Sequence, residues 1–402
     1  MPQTAEIASG VPEISVDPFG EDFLEDPYPH HHELRDCGRV FWLPAIGAYG
    51  MARYADIKAA LADDRAYCSG RGVGLSDFAK VTPGRAASLL LETDRPLHDR
   101  TRGLMNKIVS LSALRACREQ WQATADAIVT RLIEMRTFDA VSELSEAFPM
   151  QVFPETIGLP QQGRRHLLTY ATTVFNAFGP SNAIFEEGQR GAEVAIEWVS
   201  HACRRENLLP GGWGMAVFDA TDRGECSEAE AERLVRSFLS AGVDTTVNGI
   251  AHMVLGFATH PEAWQAVQRE RALCRTVFDE SLRWDGIVQT FFRTTTRNVK
   301  IEDQTIPEGS KVLLFLAAAN RDPRYWTCPE RFDPFRKNAG HVGFGFGIHQ
   351  CLGQMMARQE AEVVLNALIK RVKSMRIAGP ITRRLNNTLH ALRSLPIEIT
   401  PL

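Results

Sequence analysis

Residues 227–259 constrain the fold more than any other stretch. Ser227 followed by Glu230 is a capping-box pair, helical-spaced apolar residues follow, and Pro261 stands just beyond the end. A helix of that length would run roughly 50 Å at about 1.5 Å per residue. The spacing predicts further helices over Leu111–Met135 (Leu114, Trp121, Ala125, Ile128, Leu132), Gln189–Arg204, Pro261–Arg271, Leu273–Trp284 and Gly353–Val372. Strand signals are short and local: Val40–Leu43, Tyr49–Tyr54, Val299–Ile301, Lys311–Phe315 and Ile397–Thr400. The expected fold is mainly α with small β-sheets. No Gly/Ser/Pro linker, low-complexity tract or repeat divides the chain, so residues 1–402 read as a single domain.

Composition sets limits on function. The 45 Lys+Arg against 49 Asp+Glu leave a net charge of −4, which argues against a nucleic-acid binder. The N-terminus lacks a basic-then-apolar signal layout, and apolar runs such as Val312–Ala319 are too short to cross a bilayer. The eight cysteines are scattered, without CxxC pairs, as in a reducing cytoplasm. His30-His31-His32 follows Pro29 and reads as a solvated turn rather than a metal site.

The segment Phe344–Gly353, FGFGIHQCLG, carries the chemistry. Its glycines permit a tight loop with inward backbone N–H groups, and Cys351 stands at the start of a helix, where a thiolate is stabilised. Taken alone, the loop fits both an axial haem thiolate and a Gly-rich turn before a buried cysteine.

The loop resembles the cytochrome P450 haem-binding signature, FGxGxHxCxG, at every fixed position. Glu280-Ser281-Leu282-Arg283 resembles the ExxR motif, and Pro329-Glu330-Arg331-Phe332 its PxRF partner. Ala241-Gly242-Val243-Asp244-Thr245-Thr246 resembles the AGxDTT stretch of the long central helix. Residues 94–102 resemble the DPPxHxxxR segment, with Arg95 replacing its first proline. The resemblance implies the P450 fold, haem b between the central helix and the cysteine loop, and Cys351 as the iron ligand. It places His98, Arg102, Arg293 and His349 at the haem propionates, beside Phe344 and Gly353 of the loop. Glu280 and Arg283, one helical turn apart, would join Arg331 in a buried structural charge network.

The resemblance gives Thr245 and Asp244 the delivery of protons for dioxygen activation, which disfavours a peroxide-dependent enzyme. Gly242 and the poor helix formers Asp244 and Thr245 predict a local distortion there. No GxGxxG opens a βαβ unit, so electrons must come from a separate ferredoxin and its NAD(P)H-dependent reductase. That partner would land near Cys351, where Arg336, Lys337 and Arg358 offer positive charge.

Upstream on the same helix, Arg236, Ser240 and Asp244 form one row, and Ser237, Ala241 and Thr245 the next. Ser237 and Thr245 lie about 12 Å apart along the axis, room for a small aromatic acid. Arg85 and Ser88 would supply a second anion-binding pair. Leu90, Leu91, Phe175, Phe178, Ala241, Val288 and Phe291 would form the apolar lining. This arrangement resembles the bacterial P450s that oxidise para-substituted benzoic acids, which implies O-demethylation or hydroxylation of the para substituent. A P450 for another small acid or a terpenoid, and a non-catalytic haem-thiolate sensor, are the competing readings.

Overall fold

The computed structural model describes residues 10–83 and 85–402. The 227–259 stretch is helical throughout except at one joint. Helix Glu228–Ala241 ends at Gly242, and helix Asp244–Thr259 begins after Val243. The capping box is formed: the Glu230 N–H donates to Ser227 Oγ at 3.3 Å, and the Ser227 N–H donates to Glu230 Oε2 at 2.9 Å. The joint follows from packing. A Cβ on Gly242 would lie 2.4 Å from the Phe153 ring and 2.8 Å from the Phe238 carbonyl. The single continuous rod expected from spacing is therefore two rods.

Helix Asp244–Thr259 is buried along almost its whole length. It packs against helix Val277–Trp284 and the wide turn Val141–Glu146. Helix Leu111–Met135 lies along helix Gln354–Ile369, which follows the cysteine loop. The predicted 189–204 helix is trimmed to Ala192–Ala202, and the 273–284 helix to Val277–Trp284 after a 3₁₀ turn. His30–His32 lie inside helix Tyr28–Cys37, not in a turn, and His31 is buried.

Beside the helices lies a five-stranded sheet, ordered Phe41–Leu43, Ala48–Met51, Lys311–Phe315, Thr290–Thr295, Tyr67–Cys68. Its one parallel pair joins Ala48–Met51 to Lys311–Phe315. Near the C-terminus, strands Thr382–Arg384 and Ala391–Ser394 pair antiparallel. The architecture is mainly α with small sheets, as expected.

The Glu280–Arg283 network differs from expectation in its third member. Arg283 donates to both Glu280 oxygens at 2.8 Å, and both side chains are fully enclosed. Arg331 is exposed and contributes only its carbonyl, 3.0 Å from Arg283 Nη2. The third charge is Arg336, whose Nε meets Glu280 Oε1 at 3.0 Å. The turn after Phe332 carries the guanidinium of residue 336 inward, so Arg336 is also withdrawn from the surface where a partner protein would land.

Candidate active site

The cysteine loop closes through the Cys351 N–H, which donates to the Phe344 carbonyl at 2.8 Å. Gly347 has φ +72°, and a Cβ there would lie 2.2 Å from the Leu61 carbonyl, so only glycine fits. Burial pushes the Cys351 thiol up. The N–H groups of Gly353 and Gln354 and the charges of Arg102 and Arg358 pull it back. Arg358 is not a free surface cation: it pairs with Asp279 at 2.8 Å and its guanidinium lies 4.6 Å from the Phe344 ring centre. Lys337 is exposed.

Three side chains beside this loop lack the partners that buried polar groups normally have. Neither ring nitrogen of buried His98 has a hydrogen-bond partner, although Nδ1 lies 3.7 Å from the Asp99 carboxylate; His349 Nε2 has none either, and the two rings are 4.4 Å apart. Buried Arg293 donates only to the adjacent Phe292 carbonyl, at 2.9 Å. Burial lowers Arg102 and takes Arg293 down to about 10. Burial and the Arg293 charge together take His349 down to about 3. Buried donors are nearly always satisfied. An anion would complete this set, and the two propionates of a haem have the right chemistry. Cys351, His98, Arg102, Arg293 and His349 therefore fit a haem thiolate site.

At the joint of the two helices, Thr245 Oγ1 donates to the Ala241 carbonyl at 2.7 Å. The neighbouring Asp244 is fully buried and heavily engaged. Its carboxylate meets Arg384 at 2.7 Å and accepts from Thr172 and Asn248, each at 2.9 Å.

The upstream hydroxyls come together. Ser88 Oγ lies 3.4 Å from Ser237 Oγ, although they are 149 residues apart in sequence. Ser88 Oγ accepts from the N–H groups of Leu90 and Leu91 at 3.3 and 3.1 Å, and its own proton points to Ser237 Oγ, whose proton is taken by a backbone carbonyl. The Ser237 hydroxyl donates to the Arg233 carbonyl at 3.0 Å, and that of Ser240 to the Ser237 carbonyl at 3.2 Å. Of the two arginines expected beside them, Arg85 is paired, whereas Arg236 Nε is buried without a hydrogen-bond partner. Arg85 makes a two-pronged pair with Glu92 at 2.7 and 2.6 Å, and that carboxylate is fully enclosed. Arg236 leans on Cys203, whose thiol burial pushes up to about 12 against the pull of this charge.

Phe175, Phe178 and Phe291 form an edge-to-face chain with ring centres 5.8 and 5.7 Å apart. Leu90, Leu91 and Val288 are partly buried against the same cluster, and Ala241 is exposed beside Thr245.

The cytochrome P450 family profile matches residues 215–376. CYP199A2, a cytochrome P450 of Rhodopseudomonas palustris, is 48% identical over 394 residues, covering 98% of this chain and 96% of the relative. The chain belongs to the cytochrome P450 family. It is thus a P450 monooxygenase, and haem b and dioxygen come with the family. Cytochrome P450 107B1 of Saccharopolyspora erythraea is 29% identical over 397 residues, 94% of this chain and 96% of that one. The solved structure of cytochrome P450 CREJ superposes with a TM-score of 0.85 at 25% identity, covering 96% of this chain and 98% of that one. Among the described residues no helix is long and apolar enough to cross a membrane.

Four residues of this P450's site escape sequence reasoning. Asn248 had a signal, four residues beyond Asp244 on one helix face. Glu92 had a weaker one, seven residues from Arg85. Thr172 and Arg384 had none, because they reach Asp244 from 72 and 140 residues away.

Proposed function

We propose that this P450 is a single-domain cytoplasmic monooxygenase that oxidises the para substituent of a benzoate, by O-demethylation or hydroxylation, with electrons from a separate ferredoxin and its reductase. One observation carries the substrate reading: the Ser88–Ser237 hydroxyl pair at 3.4 Å, upstream of Thr245 and above an apolar, aromatic lining.

A carboxylate entering such a pocket must regain hydrogen bonds lost from water. Ser88 supplies an O–H that turns from Ser237 to the incoming carboxylate, with the Ser237 hydroxyl beside it. Holding one end fixes which end reaches the reaction point, so grip becomes regioselectivity. A para substituent lies on the line from the hydroxyl pair toward Thr245. An ortho substituent does not.

Cys351 would hold the iron, and His98, Arg102, Arg293 and His349 would hold the propionates. Haem, when bound, supplies the activation of dioxygen. The chain's part is to keep the ligand dry and oriented, and to deliver protons. The Thr245 hydroxyl passes a proton by releasing its hydrogen bond to the Ala241 carbonyl, and Asp244 exchanges one with its surroundings.

The test is a spin-state titration of the ferric enzyme with 4-methoxybenzoate and with 4-methoxybenzamide. The acid should bind more tightly by at least about tenfold, the scale of one charge-assisted hydrogen bond. Ser88→Ala should cost more than Ser237→Ala, because the Ser237 proton is already committed to a backbone carbonyl. Equal affinity for acid and amide would sink the reading.

A further inference from the structure

The aromatic lining is shared between two parts of the chain. Phe175 and Phe178 stand at and just beyond the end of helix His166–Asn176. Val288 and Phe291 lie on the other side, where Val288 pairs with Leu389 in the turn of the C-terminal hairpin. The seams around this lining are built in two ways. Backbone bonds close two of them. The Gln289 N–H donates to the Thr388 carbonyl at 2.9 Å, and the His390 N–H to the Ile287 carbonyl at 2.8 Å. The Leu75 N–H donates to the Phe178 carbonyl at 2.8 Å, and the Phe292 N–H to the Val73 carbonyl at 2.9 Å. Between residues 166–182 and 382–394, by contrast, no backbone–backbone hydrogen bond is formed among the described residues.

Every hydrogen bond across that third seam uses a side chain, and Asn387 is at its centre. The buried Asn387 amide donates to the Asn176 carbonyl at 3.0 Å and to Asn182 Oδ1 at 3.1 Å, and it accepts from Asn182 Nδ2 at 2.9 Å. Its backbone N–H donates to Asn176 Oδ1 at 3.0 Å. Thr388 Oγ1 adds a bond to the Phe175 carbonyl at 2.9 Å, and Arg384 one to the Thr172 hydroxyl. The fit is close: a Cβ on Gly179 would lie 2.6 Å from Asn387 Cβ. A side-chain bond is released by turning one amide toward water, whereas a backbone bond goes only when a whole segment moves.

We propose that Asn387 is a positioning residue that latches the pocket: ligands pass where helix His166–Asn176 parts from the C-terminal hairpin, and the Asn387 amide sets how often that seam opens. The inference rests on the pocket assigned above and is independent of benzoate being its ligand. The latch holds the wall and touches no ligand, so it governs rates and leaves affinity alone. Bonds that the wild type must break to open are already absent in a variant, and entry and exit speed up together.

The experiment follows two haem ligands onto the ferric holoenzyme by stopped-flow absorbance: 4-phenylimidazole, which is rigid and bulky, and cyanide, which is small. Asn387→Ala should raise both the association and the dissociation rate of 4-phenylimidazole at least about tenfold, the scale of one or two lost hydrogen bonds. Its dissociation constant should stay within about threefold, and the cyanide rates within about twofold, because cyanide passes the closed seam. Asn387→Asp keeps the volume and the acceptor for Asn182 but loses both donated bonds. It should accelerate 4-phenylimidazole in the same direction, and it carries the test if Asn387→Ala fails to take up haem. Unchanged 4-phenylimidazole rates would overturn the proposal. So would a weaker dissociation constant at an unchanged association rate, which makes Asn387 part of the pocket's shape, or an equal gain for cyanide, which marks general loosening. A wild type that shows no spin-state response to 4-methoxybenzoate would sink the benzoate reading instead and leave the latch standing.

Discussion

Two buried aspartates meet the same C-terminal hairpin through adjacent arginines, and they are held in opposite ways. Asp285 meets Arg383 at 3.6 Å, and Asp244 meets Arg384 at 2.7 Å. Around Asp285 the partners come from distant segments, and the two histidines among them are themselves enclosed. Tyr28 donates to it at 2.5 Å, His390 Nδ1 lies at 2.9 Å, and His252 Nδ1 at 3.4 Å. Burial alone would push this carboxyl up; His252, His390 and Arg383 outweigh burial and hold it well below the usual carboxylate range. Asp244 has one cation, which is 28% exposed, and two neutral donors. An acid tied into four segments is fixed for folding. An acid whose only cation reaches solvent can be released by breaking one pair.

The largest expected effect tests the first half of that contrast. Asp285→Ala strands two histidines and an arginine around an empty site and should cost about 3–5 kcal/mol. Asp244→Asn should cost roughly 1–2 kcal/mol, because the amide keeps the one oxygen that Asn248 and Arg384 share and loses only the oxygen that Thr172 uses. Denaturant midpoints decide it, and equal losses would erase the distinction.

Next in size is an acid limb in stability. Burial and the nearby Arg383 and His390 hold His252 down at about 4, against an ordinary value of 6.5, although Asp285 pulls the other way. The folded protein therefore favours the neutral ring. This contribution is complete above pH 6.5 and is lost as pH falls from there toward 4, for a total of roughly 3 kcal/mol. His252→Phe should flatten the limb in a series of unfolding curves. A limb unchanged in that variant would place the sensitivity elsewhere.

Activity gives the third test. Asp244→Asn should slow turnover on the order of a hundredfold while leaving the spin-state dissociation constant within about twofold. If binding weakens as much as turnover, Asp244 shapes the pocket instead. Thr245→Ala, the smallest change, should leave NAD(P)H consumption nearly intact while diverting it to hydrogen peroxide. Peroxide per NAD(P)H that matches the wild type would remove the hydroxyl from proton delivery.

What could be read beforehand follows the reach of local rules. The capping box, the glycine-spaced cysteine loop and the Ser237–Thr245 row depend on neighbours within a few turns, and each is visible in the letters. The joint at Gly242 was legible as a weak point, but its completeness depends on Phe153 pressing from another helix. Arg331 and Arg336 differ by five positions, and only the path of the turn decides which turns inward. The pairing of Arg85 with Glu92 needed the loop to fold back on itself. The clamp on Asp244 joins residues no periodicity connects.

The joint at Gly242–Val243 has one more consequence. The hydroxyl grip belongs to one helix and the Asp244–Thr245 pair to the next, so no continuous rod links them. The pocket is a caliper whose jaws are hinged, and its opening is set by how closely Phe153 lets the two arms meet. Gly242→Ala, which pushes a methyl group into that ring, should therefore change the spacing between Ser237 and Thr245.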